Sequence, residues 1–225
     1  MSHNRHGRAT DAPGQLIVAR SGYPVTEKMR WRTPPELVAA IEARFGTIDV
    51  DAAAEDANAI AARWFTAEQD CLFQDWRRGH RFQSGDAYGP APDIDPSKIR
   101  TIYINPPWGP RGVPKWAKEQ HPTREFNPFI GTGRFVQKAW EESRRGPTVL
   151  ALLPQSLDAV WMKPWLVRAD EILIGRRFRF LRPDGTRADQ PPGGHLLLVF
   201  RSHVPESGWP GGPRTEWDWN PLASS

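Results

Sequence analysis

Cysteine is nearly absent: Cys71 is the sole thiol among 225 residues. An intramolecular disulfide is therefore impossible and a zinc site built from several thiolates is excluded, which fits a reducing compartment. No apolar run approaches the roughly 20 residues that a membrane-spanning helix needs. No charged-then-apolar leader opens the chain either, so the expectation is a cytoplasmic protein with no membrane partner. The six histidines are scattered, none paired at helical ligand spacing, and no catalytic metal is expected. No internal repeat emerges from the sequence, and a second domain is not expected within it. The length suits a single domain that buries about 70% of its unfolded surface.

What the chain does have is proline, tryptophan and a mild excess of positive charge. The 23 prolines are about twice the usual share, so loops are expected to be numerous and stiff. Eleven tryptophans are an unusual number; most are expected to serve the core, with a minority to stack on bases or face a partner. A net charge of +4 and a pI near 9.5 are compatible with a polyanionic partner and equally with ordinary solubility.

The stretch around which the rest is organised is Thr101-Ile102-Tyr103-Ile104-Asn105-Pro106-Pro107-Trp108-Gly109. Four β-favouring residues predict a short buried strand, and two prolines then forbid continuation of either ladder or helix. Asn105 falls where the strand stops. In open α/β sheets ligands bind beyond the carboxyl ends of strands, so an amide, a fixed kink and an aromatic plane there suit a flat polar ligand such as a purine. The exocyclic amino group of adenine is a poor nucleophile until both its hydrogens are held. The Asn105 side-chain oxygen and the Pro106 carbonyl can accept them, and Trp108 can stack on the base for about 1–3 kcal/mol.

Asn-Pro-Pro-Trp after a strand resembles the catalytic motif of amino methyltransferases dependent on S-adenosylmethionine. Trp31-Arg32-Thr33-Pro34, Asp49-Val50-Asp51-Ala52-Ala53, the segment Asp70 to Trp76, Leu152-Leu153-Pro154 and Gly175-Arg176-Arg177-Phe178 extend the likeness over residues 30 to 200. Together they resemble the phage-type DNA adenine methyltransferase family. The resemblance implies S-adenosylmethionine as methyl donor, no metal, and double-stranded DNA as partner, with an extruded adenine as the acceptor. It puts Asn105, Pro106, Pro107 and Trp108 at the reacting base, and Trp31, Thr33, Pro34, Asp51, Ala52 and Asp70 around the donor. The glycine-rich loop of most methyltransferases is replaced here by Ala52-Ala53-Ala54-Glu55, as in the phage-type family. Asp75 and Asp86 rival Asp70 as the acid facing the donor's ribose or adenine.

Taken in order, residues 1–24 read as a flexible arm, 25–202 as the methyltransferase domain and 203–225 as a tail without usable signal. Thr33-Pro34-Pro35-Glu36 predicts a capping box and a helix with Leu37, Ile41 and Phe45 on one face, stopped by Gly46. A strand is expected over 47–51, with Asp51 either a donor ligand or the cap of a helix over 56–64. Residues 77–100 and 109–133 read as loop insertions, the second carrying Arg111 and Lys115 beside aromatics and so suited to DNA. Helices are expected over 134–145 and 158–168, the latter interrupted by Pro164. Strands are expected over 148–154, 171–174 and 195–200. On extended chain, Arg177 and Arg179 would project to one face and Phe178 and Phe180 to the other, offering a basic face for DNA or for solvent. His195 reads as a structural residue. The whole predicts an α/β fold with a doubly wound, mostly parallel sheet of the Rossmann-like methyltransferase type. Two other readings fit the residues: methylation of a different planar amino group (cytosine, an RNA base or a glutamine amide), and a noncatalytic DNA-binding protein on a methyltransferase scaffold.

Overall fold

A computed structural model describes residues 31–67, 69–84, 87–106, 131–175, 177–189, 193–202 and 213–217. Two prolines and a glycine bracket its first helix, α1 (Pro35–Phe45): Pro35 stands in the first turn, and Gly46 ends the helix at φ 83 with its N–H donated to the Glu42 carbonyl. Leu37 and Ile41 are buried as the spacing predicts. The capping box does not form. Pro34, extended at φ −62 and ψ 141, precedes the helix without a side-chain cap, Glu36 pairs with Arg187, and the Thr33 hydroxyl is used elsewhere.

Nine strands among the described residues share one sheet, in the order β4-β3-β2-β1-β5-β6-β8-β7-β9. They are β1 (Val50–Asp51), β2 (Arg63–Trp64), β3 (Arg81–Ser84), β4 (Ala87–Pro90), β5 (Thr101–Ile104), β6 (Thr148–Pro154), β7 (Glu171–Gly175), β8 (His195–Phe200) and β9 (Arg214–Trp217). The block β2-β1-β5-β6 is parallel throughout. Beyond it β8 runs antiparallel to both β6 and β7, and β9 is parallel to β7. On the other side, β2, β3 and β4 pair antiparallel. The sheet is thus mixed, and its antiparallel ladders hold more paired residues than its parallel ones, which corrects the expectation of a mostly parallel sheet.

The central strands are buried along nearly their whole length, with successive side chains entering opposite faces, as a sheet covered on both faces requires. Val149, Ala151 and Leu153 of β6, with Leu196, Leu198 and Phe200 of β8, pack against α2 (Thr132–Ser143) and the short α3 (Lys163–Leu166). Leu150 and Leu152, with Leu197 and Val199, pack against Leu37 and Ile41 of α1. Each such Val, Leu, Ile or Phe side chain, fully buried, contributes about 1.5–3 kcal/mol. Helices therefore cover both faces. Asp49 fixes the register of the middle strands, its carboxylate accepting the Arg100 and Thr101 N–H groups at 2.7 and 3.0 Å.

Several local expectations are overturned. No helix forms over 56–64: Asp56 accepts from the Arg81 guanidinium and from Trp64 Nε1, so a turn leads directly into β2, and β1 is shorter than the predicted 47–51. The segment 77–100, expected as a loop insertion, instead carries the β3–β4 hairpin. Buried Arg63 ties its two ends by donating to the Arg78 and Pro92 carbonyls. Gly79, at φ 62, has no room for a side chain, since a Cβ there would lie 2.8 Å from Arg63 Cβ. The helix expected over 158–168 is confined to Lys163–Leu166, with Pro164 in its first turn. Within the span 203–225, read as a tail, β9 closes one edge of the sheet.

Candidate active site

Chain order reverses direction across the sheet between β1 and β5: β2 lies on one side of β1 and the next parallel strand, β5, on the other. At such a switch point the loops leaving the two carboxyl ends diverge, and the crevice between them is where an open α/β sheet accommodates a ligand. Asp51 ends β1, and Asn105 and Pro106 directly follow β5. The two ends are held close, Ala52 N–H donating to the Tyr103 carbonyl at 2.8 Å, and the fully buried Ala52 presents only a methyl group to this junction.

Asp51 is 4% exposed, and among the described residues no ion pair holds it. Its carboxylate accepts only long hydrogen bonds, from Ala53 N–H at 3.2 Å and Ile60 N–H at 3.4 Å. Burial therefore dominates and raises its pKa to about 7, against the opposing pull of those two donors. Register sets Asp51 opposite Tyr103, whose buried hydroxyl shares a 2.8 Å hydrogen bond with Thr33 Oγ1. Burial lifts the Tyr103 phenol well above its ordinary range, the Thr33 hydrogen bond opposes this, and the Asp51 charge adds to the rise. Thr33, Tyr103 and Asp51 thus form one neighbourhood at the carboxyl end of the sheet. Tyr103 escaped the sequence reading. Its position two residues before Asn105, on one face of a strand by alternation, was the available signal.

Beside Thr33, buried Pro34 caps α1 through its carbonyl, which accepts from Leu37 and Val38 N–H at 3.0 and 3.1 Å. Half-buried Trp31 packs against Phe180, ring centroids 6.4 Å apart, and Arg32 pairs through its backbone with Leu181. Through these contacts the segment 31–34 is fastened to the segment carrying Arg177 and Arg179. Both arginines are exposed, whereas Phe178 is half-buried and Phe180 buried, the alternation expected of extended chain. His195, buried behind them with its ring 4.2 Å from that of Phe178, has its pKa lowered to about 4 by burial.

Asp70 is the sole non-glycine residue with positive φ among those described, at φ 49 and ψ 88. It is 4% exposed. One carboxylate oxygen accepts Leu72 N–H at 3.2 Å, capping a short 3-10 turn, and the other is buried without a partner. An unpaired buried carboxylate oxygen is costly and points to a missing donor. The neighbouring Cys71 thiol is pushed up by burial first, then by the charge of Asp70 and, behind Lys138's opposing effect, by that of Asp51. The two acids therefore act on the same buried atom. Asp75 differs: Arg77 grips it from Nε at 3.0 Å and Nη2 at 2.8 Å, Arg145 adds a contact at 3.8 Å, and the Arg77 hydrogen bond holds the carboxyl below its ordinary range. Its oxygens are engaged where one of Asp70's is not.

Asn105 is half-buried and Pro106 buried. Pro107, Trp108, Arg111, Lys115 and the rival acid Asp86 lie outside the described residues. No group of three or more His, Cys, Asp or Glu side chains converges as metal ligands among the described residues, and no described helix is long and apolar enough to cross a membrane.

A family model described as "DNA N-6-adenine-methyltransferase (Dam)" matches residues 20–209. A protein of Escherichia phage T1 named DNA N-6-adenine-methyltransferase is 25% identical over 143 residues, which cover 64% of this chain and 43% of the phage protein. The chain thus matches less than half the length of that relative.

Proposed function

The chain belongs to the DNA N-6-adenine-methyltransferase (Dam) family, and from that premise we propose that it transfers a methyl group from S-adenosylmethionine to the exocyclic amino nitrogen of adenine in double-stranded DNA. The observation that carries this reading is the pairing of two strand ends at the switch point: a buried carboxylate closing β1, without an ion pair among the described residues, and Asn105-Pro106 following β5. The core order β2-β1-β5-β6-β8-β7, with β8 antiparallel, supports reading the sheet as the Rossmann-like methyltransferase type, to which the β3–β4 hairpin and β9 are additions.

The residues fit such a donor by chemistry. Asp51, poorly satisfied by two long hydrogen bonds, suits the ammonium of the methionine part, whose charge would draw its pKa back down. The unpartnered oxygen of Asp70 suits a ribose hydroxyl or the purine amino group. Thr33, Pro34 and Trp31 line the methionine side, and Ala52 lets backbone approach closely. When bound, the donor supplies a methyl carbon activated by a sulfonium. Asn105 Oδ1 and the Pro106 carbonyl accept the two amino hydrogens of an extruded adenine, which turns the nitrogen lone pair toward that carbon, and Trp108 covers the base. The donor would supply the methyl carbon to the amino nitrogen so held and would leave with the bonding pair on its sulfur, while the proton lost from nitrogen would pass to water. Positive charge would thereby be lost from the donor and appear on nitrogen, so the polar cradle formed by Asn105 and the Pro106 carbonyl, and its geometry, matter more than a strong base. Exposed Arg177 and Arg179, with Arg111 and Lys115, meet phosphates and fix the register of the duplex.

The test is incubation with labelled S-adenosylmethionine and unmethylated duplex DNA, followed by nucleoside digestion. Label is expected in N6-methyladenine. Label in cytosine, RNA or protein alone would replace the substrate, and absence of donor binding would replace the activity.

A further inference from the structure

We propose that Glu142 is a positioning residue for the donor site, acting through Trp76 to hold Asp70 in its left-handed conformation; this rests on the reading of Asp70 as a donor contact. Glu142 lies in the last turn of α2 and is fully buried, an uncommon state for a carboxylate. Oε2 accepts Trp76 N–H at 3.2 Å, while Oε1 meets the Lys138 ammonium and, at 3.4 Å, Arg145 Nη1. A buried ion pair is by itself weak support for stability, since apolar groups of similar volume often serve as well. The particular thing Glu142 supplies is an acceptor on α2 for a backbone group of the segment that carries Asp70.

From Trp76 the linkage runs back along that segment. Its ring is fully buried, and Nε1 donates to the Cys71 carbonyl at 2.7 Å, the same carbonyl that accepts Gln74 N–H at 3.2 Å. Gln74 in turn donates from Nε2 to the Gln69 carbonyl at 2.8 Å. Residues 69 and 71, flanking Asp70, are thus each anchored through their carbonyls. A non-glycine residue at φ 49 is disfavoured and persists where its surroundings fix it. Arg145 adds a second tie, reaching both Glu142 and Asp75.

Donor affinity, measured by equilibrium binding of labelled S-adenosylmethionine to the full chain, tests this in wild type, Asp70→Asn, Glu142→Gln, Glu142→Leu and the Asp70→Asn/Glu142→Leu double variant, each checked by a thermal melt. Asn tolerates positive φ and keeps the cap to Leu72, so Asp70→Asn preserves the turn while replacing the free acceptor oxygen by an uncharged donor. Glu142→Gln retains an acceptor for Trp76 and is expected to bind within about twofold of wild type. Glu142→Leu is expected to bind about tenfold more weakly, but to change affinity less than about twofold when Asp70 is already Asn. A tenfold loss that persists in the Asp70→Asn background, or wild-type binding by Glu142→Leu, overturns the positioning role. Unchanged affinity in Asp70→Asn overturns the donor-contact reading itself, a result separable from the other two. If Glu142→Leu does not fold, Trp76→Phe removes the Nε1 donor to Cys71 and is expected to show the same dependence on Asp70.

Discussion

Replacing Asp51 by Asn keeps the shape of a buried side chain and removes its charge, and the structure says how that should register in stability. The wild-type carboxyl titrates near 7 in the folded chain against an ordinary 3.8. Below about pH 4 it is protonated in both folded and unfolded chains and contributes no penalty. As pH rises toward 7 the unfolded chain releases this proton while the folded chain retains it, so stability falls; above about pH 7 the loss is complete, at about 4 kcal/mol. Between about pH 5.5 and 8 the wild type should therefore lose about 2 kcal/mol that Asp51→Asn does not lose. The amide also presents one fewer acceptor to Ala53 and Ile60 N–H, but that offset is independent of pH and cancels in the difference. Urea melts of the donor-free protein at the two pH values measure it: the advantage of the variant should widen with pH by about that amount. Donor at saturating concentration should then stabilise wild type and leave Asp51→Asn unmoved. A gap that stays constant or narrows with rising pH would refute the reasoning.

Other substitutions probe the remaining parts of the site. Tyr103→Phe strands the Thr33 hydroxyl in a buried position and should lower stability by about 1 kcal/mol while weakening donor binding; a melt and a donor titration both unchanged would remove this pair from the site. Reversing charge at Arg177 and Arg179 together should weaken DNA binding uniformly across sequences and make the slope of log affinity against log salt shallower by about two, as expected for two lost phosphate contacts. An unaltered slope would return that face to solvent. Glu142→Leu should weaken donor binding only while Asp70 is intact.

Legibility in the sequence followed how local the cause was. β5, β6 and β8 are nearly unbroken apolar runs bounded by turn residues, and each lies where periodicity and punctuation indicate. β3 and β9, Arg81-Phe82-Gln83-Ser84 and Arg214-Thr215-Glu216-Trp217, are largely polar, the first paired between β2 and β4 and the second at the end of the sheet, and both are held by ladder pairing and carry no such signature. The Ala-rich stretch before Trp64 reads as helix by propensity, yet partners distant in sequence decide it: Arg81 takes Asp56, and the core takes the Trp64 ring. Thr33 and Glu36 have the spacing of a capping box, but Tyr103 and Arg187 compete for them and win. Likewise nothing local separates Asp70 from Asp75. The distinction comes from Arg77 and Arg145 engaging one acid and leaving an oxygen of the other bare.

The most direct test of the account is methyl transfer by Asn105→Ala, followed by incorporation of labelled methyl into unmethylated duplex DNA, with donor affinity measured on the same preparation. On the proposed reading Asn105 holds the acceptor nitrogen and not the donor, so turnover into N6-methyladenine should vanish while donor affinity stays within about twofold of wild type. Methylation of adenine by Asn105→Ala at a rate near that of wild type would contradict the central claim.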